Sequence, residues 1–470
     1  MSRTVIVLAA GIGKRMKSDL PKVLHPLLGR PLVGHVLAAA EPLAASRVLV
    51  VVGHRAELVT EYLSAHVAVA ESVLQPEQLG TGHAVRIALP PEVSGTVVVL
   101  NGDVPLLSWQ TLQDLVEAHE KAGASATVLA AEVPDPKGLG RIVRDGSGNL
   151  AGIVEERDAS DAQRAIREIN AGIYAFEAQA LRAALARLTT QNVQGEEYLT
   201  DVFGLLVREG SPVGVHVAPD AVETLGCNDR AELASLRALL RDRVNNALMR
   251  DGVTILDPRT TWIDVTVKVG RDTVIEPNTQ LKGATDVGEA TVIGPDVTLI
   301  DTVVGDGSQI IRTHAVLAEI GENVSVGPYA YLRPGTSLGR KSKVGTFVEV
   351  KNSSVGEGSK VPHLSYVGDA TIGDQTNIGA GNIFANYSGA TKSRTNIGDH
   401  VKTSSGTVFV APLEVGDGAY TAAGSTITKD IPAGALGVAR SYQRNIEGWV
   451  ARARPGSAAA QAAEKAGQED

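Results

Sequence analysis

The stretch IDVTVKVGRDTVIEPNTQLKGATDVGEATVIGPDVTL (residues 263–299) decides the fold of the second half of the chain. An α-helix repeats its apolar residues every 3.6 positions and a β-strand every 2, so neither explains a period of six. Period six is typical of a hexapeptide-repeat β-helix, in which three hexapeptides form one coil and one aliphatic row fills a continuous core. The row in this stretch contains Ile263, Val269, Ile275, Leu281, Val287, Ile293 and Leu299.

A second row of small or β-branched residues follows four positions later, and the aliphatic row resumes after a slip in register. Residues about 18 apart should therefore stack on the same face of successive coils. The polar stretch FANYSGATKSRTN (residues 384–396) interrupts the repeat and predicts a loop that leaves the solenoid and forms a binding face. The second row contains Thr273, Thr279, Thr285, Thr291, Val297 and Val303, and the resumed row contains Ile320, Val326, Leu332, Leu338, Val344 and Val350, then Val355, Val361, Val367, Ile372, Ile378, Val415, Thr421 and Ile427.

The first half alternates short aliphatic runs with amphipathic stretches, which predicts a layered, Rossmann-like α/β domain with ligands at the carboxyl ends of parallel strands. The predicted strands are Thr4–Ala10, Val48–Gly53 and Val97–Leu100, and the predicted helices are Pro31–Leu43, Glu57–Leu63 and Leu112–Lys121. Between the two patterns, residues 229–249 carry leucines at helical spacing, with Asp229 as N-cap and Gly252 as a stop.

A chain of 470 residues is too long for one hydrophobic core, so these changes in pattern are expected to mark domain boundaries. We predict an α/β domain at 1–228, a linking helix at 229–252 and a β-helix at 253–454. The Ala-, Gln- and Glu-rich tail at 455–470 is predicted to be disordered.

Composition limits the classes of partner and compartment. A formal net charge of −9 disfavours general binding to nucleic acids, which select clustered Lys and Arg. The single Cys227 excludes an internal disulfide framework, and no apolar run reaches the ~18 residues of a membrane span. The N-terminal MSRTVIVLAAG is too short for a signal peptide. We expect a cytoplasmic protein without a membrane span, acting on small molecules rather than nucleic acid.

The segment LAAGIGKRM (residues 8–16) directly follows the first predicted strand. Gly11 and Gly13 allow a tight turn that presents backbone N–H groups to phosphate oxygens, and Arg15 and Lys22 supply positive charge. An ordinary strand–helix turn is the alternative. The Rossmann fingerprint requires a glycine where Met16 stands, and no GxxxxGK[ST] motif occurs. NGDVPL places a carboxylate, Asp103, at the end of a buried strand, where it can hold Mg²⁺.

Further motifs occur in the order LAAGIGKRM, SDLPKVLH, NGDVPL, QPEQLGTGHA, GLGRIV, GIVEERDA and EINAGIYAF. Together they resemble the sugar-nucleotidyltransferase signature and are similar to bacterial N-acetylglucosamine-1-phosphate uridyltransferases. LRPG, KNSS, VPHLSYVGDA, GAGNIFANYSGATK and VARS resemble the acetyltransferase half of the same bifunctional family. The resemblance implies a left-handed β-helix, homotrimers with active sites between neighbouring prisms, and a role in peptidoglycan synthesis.

For the first half, the resemblance implies catalytic cations at Arg15 and Lys22 and a magnesium site at Asp103 and Asn228. Cys227 is expected to be a packed small side chain rather than a nucleophile, and Asn101 receives no role. The implied nucleotide- and sugar-binding residues are Leu8, Ala9, Gly11 and Gly13, then Gln75, Gln78, Gly80 and Thr81 at the uracil, Gly140, Glu155 and Asn170 at the sugar, and Asn228.

An amine that attacks a thioester needs a general base, and the solenoid contains His314, His363 and His400. The resemblance implies that His363 is the base, and the absence of Cys in this half excludes a cysteine acyl-enzyme. Trp449 could cover an adenine, anchor at the surface or pack, so it receives no role. The implied ligands of glucosamine 1-phosphate are Arg333, Lys351, Tyr366, Asn377 and Lys392, and those of acetyl-CoA are Ala380, Asn386, Tyr387, Ser405, Ala423 and Arg440, with Asn386 and Tyr387 flanking the reacting centre.

The resemblance implies acetyl transfer from acetyl-CoA to glucosamine 1-phosphate, then Mg²⁺-dependent transfer from UTP to N-acetylglucosamine 1-phosphate. Three alternatives stay open on the residues alone. The solenoid could be a regulatory or oligomerising domain, although the polar loop and the cations Arg333 and Lys351 argue against that role. A metalloenzyme of the carbonic anhydrase kind needs at least three well-placed histidines, and those of the solenoid are isolated. A non-catalytic scaffold is the third alternative.

Overall fold

The computed structural model describes residues 2–468. The chain divides into two compact units, Met1–Lys268 with Pro277–Thr285, and Val269–Glu276 with Asp286–Asp470. The first unit thus includes the predicted linking helix and the first strands of the solenoid. The domain limits 1–228, 229–252 and 253–454 stay a prediction.

The first unit contains a mixed sheet with the strand order β11-β7-β10-β6-β1-β4-β5, and β8 pairs with β9 and β10. β10 is antiparallel to β6 and β7, whereas β1 is parallel to β4 and β6. The central strands are buried on both faces, which is why they are near-continuous runs of Val, Ile and Leu. The strands are β1 Arg3–Leu8, β2 Pro26–Leu27, β3 Arg30–Pro31, β4 Arg47–Val52, β5 Ala70–Leu74, β6 Thr96–Asn101, β7 Ala126–Glu132, β8 Arg141–Arg144, β9 Leu150–Val154, β10 Glu168–Glu177 and β11 Val213–Val217.

Helices cover both faces of this sheet, as the alternating pattern predicts. One apolar cluster contains residues of α1, α2 and α4, and a second contains residues of α3, α6 and α7. The helices are α1 Leu32–Ala40, α2 Ala56–His66, α3 Thr81–Ala88, α4 Trp109–Ala122, α5 Asp161–Arg164, α6 Ala178–Leu185, α7 Asp201–Arg208 and α8 Arg230–Arg250, and short 3₁₀ turns lie at Lys14–Met16, Lys22–Leu24, Glu41–Leu43 and Ala221–Thr224.

The long helix α8 has the predicted start, because the Asp229 side chain accepts hydrogen bonds from the backbone of Ala231 and Glu232. Leucines of its first half pack against residues of the glycine loop and the β2–β3 hairpin. Near its end, the fully buried Asn245 donates to the carbonyls of Pro258 and Thr261 at 3.0 and 3.1 Å. These two hydrogen bonds of the Asn245 amide connect the helix to the first coil of the solenoid, which belongs to the same unit.

The solenoid consists of short parallel strands on three faces, and most hydrogen-bonded partners lie 16 to 18 residues further along the chain. The exceptions are the pairs that span the insertion, such as Ala370 with Thr395 and Ile383 with Val408, which lie 25 residues apart. This is the parallel β-helix that the period of six predicts, while its hand stays a prediction of the resemblance. The first face contains Thr254–Ile255, Val274–Ile275, Val292–Ile293, Gln309–Ile310, Ser325–Val326, Lys343–Thr346, Lys360–His363, Tyr420–Thr421 and Leu436–Gly437; the second contains Trp262–Ile263, Gln280–Lys282, Thr298–Ile300, Thr313–Val316, Ala330–Leu332, Glu349–Lys351, Tyr366–Gly368, Ile383–Ala385, Val408–Val410 and Thr426–Ile427; the third contains Lys268–Val269, Asp286–Val287, Val303–Val304, Ala318–Ile320, Thr336–Leu338, Ser354–Val355, Ala370–Ile372, Thr395–Ile397 and Leu413–Val415.

The predicted aliphatic row is buried throughout except at Val269, which is half-buried. The second row is buried from Thr273 to Val297, but its last predicted member is wrong. Val303 is 51% exposed, whereas the second row continues at the buried Thr302 and the aliphatic row at Val304, which is 2% exposed. The coil shortens by one residue here, so the next member of each row follows the previous one, Val297 or Leu299, by five residues instead of six.

The predicted loop at 384–396 is too long at both ends. Phe384 is fully buried in the strand Ile383–Ala385 and packs against Phe409, with ring centroids 4.9 Å apart and ring planes tilted by 37°. Thr395 begins the next strand, so only residues 386–394 leave the coil. The sequence marks the insertion as polar, but it does not show that its two ends are core strands.

The predicted disorder of the tail is also corrected. Ala458–Ala466 forms a helix, α10, whose N-cap Ser457 accepts from the backbone of Ala460, and Trp449–Ala453 forms the short helix α9 before it. A run of alanines has the highest intrinsic helix propensity, which outweighs its low hydrophobicity. Residues 469 and 470 of this tail lie outside the described residues.

The register slip gives a stability test with two adjacent valines. Val304→Ala should lower the free energy of unfolding of the solenoid by about 2 kcal/mol, because it removes buried methyl groups and leaves a cavity. Val303→Ala should change it by less than about 0.5 kcal/mol, since its side chain is largely exposed. Denaturant titration of both variants measures the difference. A larger loss at Val303 than at Val304 would contradict the five-residue step.

Candidate active sites

The glycine loop of the first unit brings Lys22 against the end of β6. Gly13 has a φ of +64°, and a Cβ there would lie 2.6 Å from the Cβ of Lys22. Only glycine therefore allows this close approach. The Lys22 ammonium forms an ion pair with Asp103, and both side chains are largely buried. Two residues that were predicted separately, as a catalytic cation and a metal ligand, thus lie in direct contact.

A cleft with a volume of 330 Å³ opens beside this ion pair. The Gln78 amide donates to the Ala10 carbonyl at 2.7 Å, which fixes one wall of the cleft to the glycine loop. Sequence reasoning did not assign Asn101 or Glu196, although both line the cleft. The predicted residues that line it are Leu8, Gly11, Lys22, Gln75, Gln78, Gly80, Thr81 and Asp103, whereas Ala9, Gly13 and Arg15 do not.

The three predicted sugar contacts form a cluster of their own. A Cβ on Gly140 would lie 3.4 Å from the Cβ of Asn170 and 3.5 Å from a carboxylate oxygen of Glu155. The absence of a side chain at Gly140 thus leaves space between an amide and a carboxylate. Burial raises the pKa of Glu155, and a hydrogen bond from Thr200 partly opposes that rise.

Arg141 holds this cluster in place and was missed by the sequence analysis. Its guanidinium is almost fully buried and donates to Glu156 at 2.7 Å and to the carbonyls of Leu139 and Arg164. Arg141 follows Gly140 and Glu156 follows Glu155, so this one ion pair sets the separation of two predicted sugar contacts. No pattern in the sequence indicates that this arginine is buried.

The predicted magnesium ligands are adjacent through the backbone, because the N–H of Cys227 donates to the carbonyl of Asp103 at 3.0 Å. One carboxylate and one amide oxygen, Asp103 and Asn228, suit Mg²⁺, which takes its remaining ligands from water and phosphates. Between residues 2 and 468, no group of three or more His, Cys, Asp or Glu side chains is placed to hold a metal ion. The donor set therefore fits an ion that is bound together with a nucleotide.

A larger cavity of the first unit lies elsewhere. It has a volume of 950 Å³, and its apolar lining comes mainly from α1, α2 and the β2–β3 hairpin. None of the residues predicted for either site lines it, although the titratable residues Arg30, Glu41, Tyr62 and His66 do. Its size alone does not make it a reaction site, and the predicted nucleotide-binding residues line the smaller cleft instead.

In the second unit, His363 ends a strand and is exposed. Its imidazole makes no hydrogen bond to any of residues 2–468, and its backbone carbonyl accepts from Ser365 and Gly381. Thr346 pairs with it in register on the preceding coil. A free imidazole at the surface of the solenoid is accessible to a substrate.

The predicted cations Arg333 and Lys351 occupy successive coils of one face, but each is paired with an acid. Arg333 contacts Glu349 at 2.8 Å, and Lys351 contacts both oxygens of Asp369 at 3.0 Å. Burial would raise the pKa of Asp369, but hydrogen bonds from Asn352, Lys351 and Asn386 lower the pKa to about 2. The two predicted cations thus lie on one face of successive coils, as a spacing of 18 residues predicts, and each has an acidic partner.

The remaining predicted sugar-phosphate contacts are spread over two coils and the loop. The Tyr366 ring lies over Gly368, where an added Cβ would meet the phenol oxygen at 2.3 Å. The backbone of Asn377 forms parallel β-bridges with Lys360 on the preceding coil and with Lys402 on the following coil of the first face. In the loop, Tyr387 and Lys392 form an antiparallel bridge, and the Tyr387 hydroxyl donates to Gly389. The contact of the Asn386 amide with Asp369 links this loop to Lys351.

Three of the predicted acetyl-CoA contacts stack at one corner of successive coils. The N–H of Gly406 donates to Ala380, and the N–H of Gly424 donates to Ser405, at 2.8 and 3.0 Å. The glycines that follow, Gly381, Gly406 and Gly424, all have positive φ and add no side chain at this corner. Ala423 continues the stack, and the Arg440 side chain approaches Gly424. The result is a strip of small residues that a flexible chain can lie along.

The mixed sheet with its glycine loop defines the class of the first unit as a nucleotidyltransferase. The family model described as MobA-like NTP transferase domain matches residues 5–251. The chain is 58% identical to the bifunctional protein GlmU of Streptomyces avermitilis, covering 98% of this chain and 97% of that protein. It is 56% identical to GlmU of Thermobifida fusca, with coverages of 98% and 97%, and 54% identical to GlmU of Mycolicibacterium vanbaalenii, with coverages of 97% and 94%. The chain belongs to the bifunctional GlmU family.

A solved structure of a putative glucose-1-phosphate thymidylyltransferase from Bacillus anthracis is also similar, with 18% identity and a TM-score of 0.41. The similarity covers 51% of this chain and 96% of that chain. The full-length relatives confirm the predicted fold and the predicted bifunctional acetyltransferase and uridyltransferase at the level of the family. No helix among the described residues is both long and apolar enough to cross a membrane.

The environment of Cys227 predicts an inert thiol. Burial and the nearby Asp103 carboxylate raise the pKa of this thiol to about 11, and its side chain is fully buried. At pH 8 the native protein should react with a thiol reagent such as DTNB at least about a hundredfold more slowly than free cysteine. In guanidinium chloride one thiol per chain should react at the free rate. Fast labelling of the native protein would contradict the packed position.

Proposed function

We propose that this chain makes UDP-N-acetylglucosamine in two steps, with acetyl transfer at His363 on the solenoid and uridyl transfer at the Lys22–Asp103 cleft. The family assignment gives the two activities, and the residues assigned to each step are our proposal. The main support for this proposal is the contact between Lys22 and Asp103. This contact brings together two predicted reaction residues, and both of them line the cleft.

In the first step, the amine of glucosamine 1-phosphate attacks the thioester carbonyl of acetyl-CoA. An N–C bond forms, the C–S bond breaks, and CoA leaves as a thiol. His363 takes the proton of the amine and returns it to the sulfur, which is general acid–base catalysis. Its unpaired and exposed imidazole supports this role. The strip at Ala380, Ser405 and Ala423, with Asn386, Tyr387 and Arg440 nearby, is the proposed place for the pantetheine arm.

The phosphate of glucosamine 1-phosphate is proposed to lie against Lys351 and Arg333, with Tyr366, Asn377 and Lys392 as further contacts. Lys351 has three N–H donors, and Asp369 accepts from it with both of its oxygens. The ammonium is therefore held in a fixed position with donor capacity left for a phosphate oxygen.

In the second step, the phosphate of N-acetylglucosamine 1-phosphate attacks the α-phosphorus of UTP in line and pyrophosphate leaves. The work of the protein is to align the groups and neutralise charge, which we assign to Lys22 and Arg15. Asp103 and Asn228 would hold Mg²⁺, which supplies further positive charge to the phosphates. Leu8, Ala9, Gly11 and Gly13 form the proposed phosphate loop. The uracil is assigned to Gln75, Gln78, Gly80 and Thr81, and the sugar to Gly140, Glu155 and Asn170.

We also assign the chain a homotrimeric assembly. Three apolar side chains stack at one corner of the solenoid next to His363: Tyr329, Phe347 and Leu364, which are 53%, 58% and 61% exposed. The rings of Tyr329 and Phe347 are 5.3 Å apart and nearly parallel. An exposed apolar strip of this kind is typical of an interface. Neighbouring prisms that cover it would place the acetyl-transfer site between subunits.

The free thiol of Cys227 supports the proposed cytoplasmic location, where acetyl-CoA and UTP are available. The product is a precursor for peptidoglycan synthesis in this family. A full reaction with glucosamine 1-phosphate, acetyl-CoA, UTP and Mg²⁺ should yield UDP-N-acetylglucosamine, and omission of any one of the four should abolish the yield.

Variants of the two sites should lose opposite halves of the reaction. His363→Ala should lower acetyl transfer at least about a hundredfold, since a general base contributes about 10² to 10⁴. It should leave uridyl transfer from added N-acetylglucosamine 1-phosphate within about twofold. Lys22→Ala and Asp103→Ala should abolish uridyl transfer and leave acetyl transfer within about twofold. Separate assays of CoA release and pyrophosphate release measure the two steps.

His400→Ala is the matched control for His363, because His400 is an exposed solenoid histidine at a corner with no assigned role. Full acetyl transfer in His363→Ala, or no acetyl transfer in the parent protein, would reduce the solenoid to a regulatory or oligomerising domain. Unchanged uridyl transfer in both Lys22→Ala and Asp103→Ala would remove the proposed nucleotide site.

The assembly is tested at the apolar corner. Phe347→Glu should convert the trimer to a monomer, because three charges would be buried in the interface. Sedimentation or light scattering measures the mass. Trp109→Glu changes a comparably exposed aromatic residue of the first unit and should leave the mass unchanged. A trimer that persists in Phe347→Glu would show that subunits meet elsewhere.

A further inference from the structure

The side chain of Gln75 is held by two acceptors at the proposed uracil end of the cleft. Its amide nitrogen lies 3.2 Å from the carbonyl oxygen of Gly80 and 3.1 Å from Nδ1 of His83. A carbonyl oxygen can only accept, so the atom facing it must be the amide nitrogen. That assignment makes Nδ1 of His83 a second acceptor, and the neutral ring carries its proton on Nε2.

With both amide hydrogens engaged, the oxygen of Gln75 is the group left for a ligand. This oxygen accepts no hydrogen bond from residues 2–468. It is also not one of the fully buried side-chain atoms without a partner, which means that a ligand can reach it. The Gln75 side chain is otherwise buried and lines the 330 Å³ cleft. The cleft therefore presents a fixed hydrogen-bond acceptor.

A fixed acceptor distinguishes the two pyrimidines of RNA. Uracil carries a hydrogen on N3 and can donate to it, whereas N3 of cytosine is itself an acceptor and would face the oxygen with a lone pair. A site with an acceptor in this place rejects cytosine because the two polar atoms cannot pair. Rotating the amide would reverse the preference, but it would set the amide oxygen against the Gly80 carbonyl and remove the donor to His83.

We propose that His83 is a positioning residue that fixes the Gln75 amide and so makes the cleft select UTP over CTP. The proposal rests on the proposed function of this cleft. His83 lies in the first turn of α3, two residues after Thr81, and does not itself line the cleft. It acts on the base only through Gln75.

The test compares nucleotide selection in His83→Leu and His83→Asn. Leucine removes the acceptor, whereas the side-chain oxygen of asparagine can take the place of Nδ1. Relative to the parent protein, His83→Leu should lower the ratio of kcat/KM for UTP to that for CTP about tenfold, as expected for the loss of one hydrogen bond. His83→Asn should restore the ratio to within about threefold. His83→Ala replaces His83→Leu if the leucine variant does not fold.

Thymine presents the same hydrogen-bonding edge as uracil, so the ratio of UTP to dTTP is the internal control. This ratio and the KM for N-acetylglucosamine 1-phosphate should not change in His83→Leu. An unchanged ratio of UTP to CTP would overturn the proposal, and so would an equal loss in both ratios, because that result indicates a purely structural role. Equilibrium binding of the three nucleotides provides the same ratios without turnover. If the parent protein binds them but transfers no uridyl group, the proposed function fails while the role of His83 is still decided.

Discussion

The constraint on which the solenoid depends is the inward aliphatic row at every sixth residue. Each coil must turn three corners while keeping that row pointed at the core, and many corners are turned by one residue with positive φ. Tyr329, Phe347 and Leu364 are three such residues on successive coils. A non-glycine side chain in this conformation is costly in isolation, so it persists because the buried rows on both sides fix the backbone. The corner side chains are directed away from the core, and stacked coils turn them into exposed columns.

These columns explain why both proposed features of the second unit share one edge of the solenoid. The same corner that carries Tyr329, Phe347 and Leu364 continues through Gly381, Gly406 and Gly424. Where the corner residues are large and apolar, the column suits contact with another chain. Where they are glycine, it leaves a strip for a ligand. His363 directly precedes Leu364, at the change from one to the other, so an interface and a ligand strip converge on the proposed base.

The sequence predicts the periodic features well, because burial of a regular row requires nothing beyond local residue type. The strands of the first sheet, the cap of α8 at Asp229 and nearly all members of the aliphatic row are examples. Irregular steps escape such reasoning. The slip at Val303 and Val304 exchanges two identical residues, so composition does not indicate which one faces inward. The low hydrophobicity of the tail predicts disorder, but the high helix propensity of its alanines favours the helix at Ala458–Ala466.

The residues of the candidate sites also differ in how far the sequence predicts them. Motifs identify the residues that we assign to ligands, and many of those line the cleft or form the cluster around Gly140. The residues that hold them were not predictable, because their partners are distant in sequence or are backbone carbonyls. Arg141 contacts the carbonyl of Arg164, and His83 acts through the side chain of Gln75. Such contacts depend on how the chain folds, and a local sequence pattern does not predict them.

The two ion pairs of the proposed acetyl site differ in a way that bears on how a phosphate is held. Arg333 and Glu349 are both more than a third exposed, and such a pair contributes only about 0–1 kcal/mol. Arg333 can therefore exchange its carboxylate for a phosphate at little cost. Lys351 is paired with the buried Asp369, which Asn352 and Asn386 also hold, so exchange there would leave a buried carboxylate without its cation. Lys351 should therefore keep Asp369 and offer its third donor, while Arg333 moves to meet the substrate. A site with one fixed and one mobile cation can position a phosphate and still release the product.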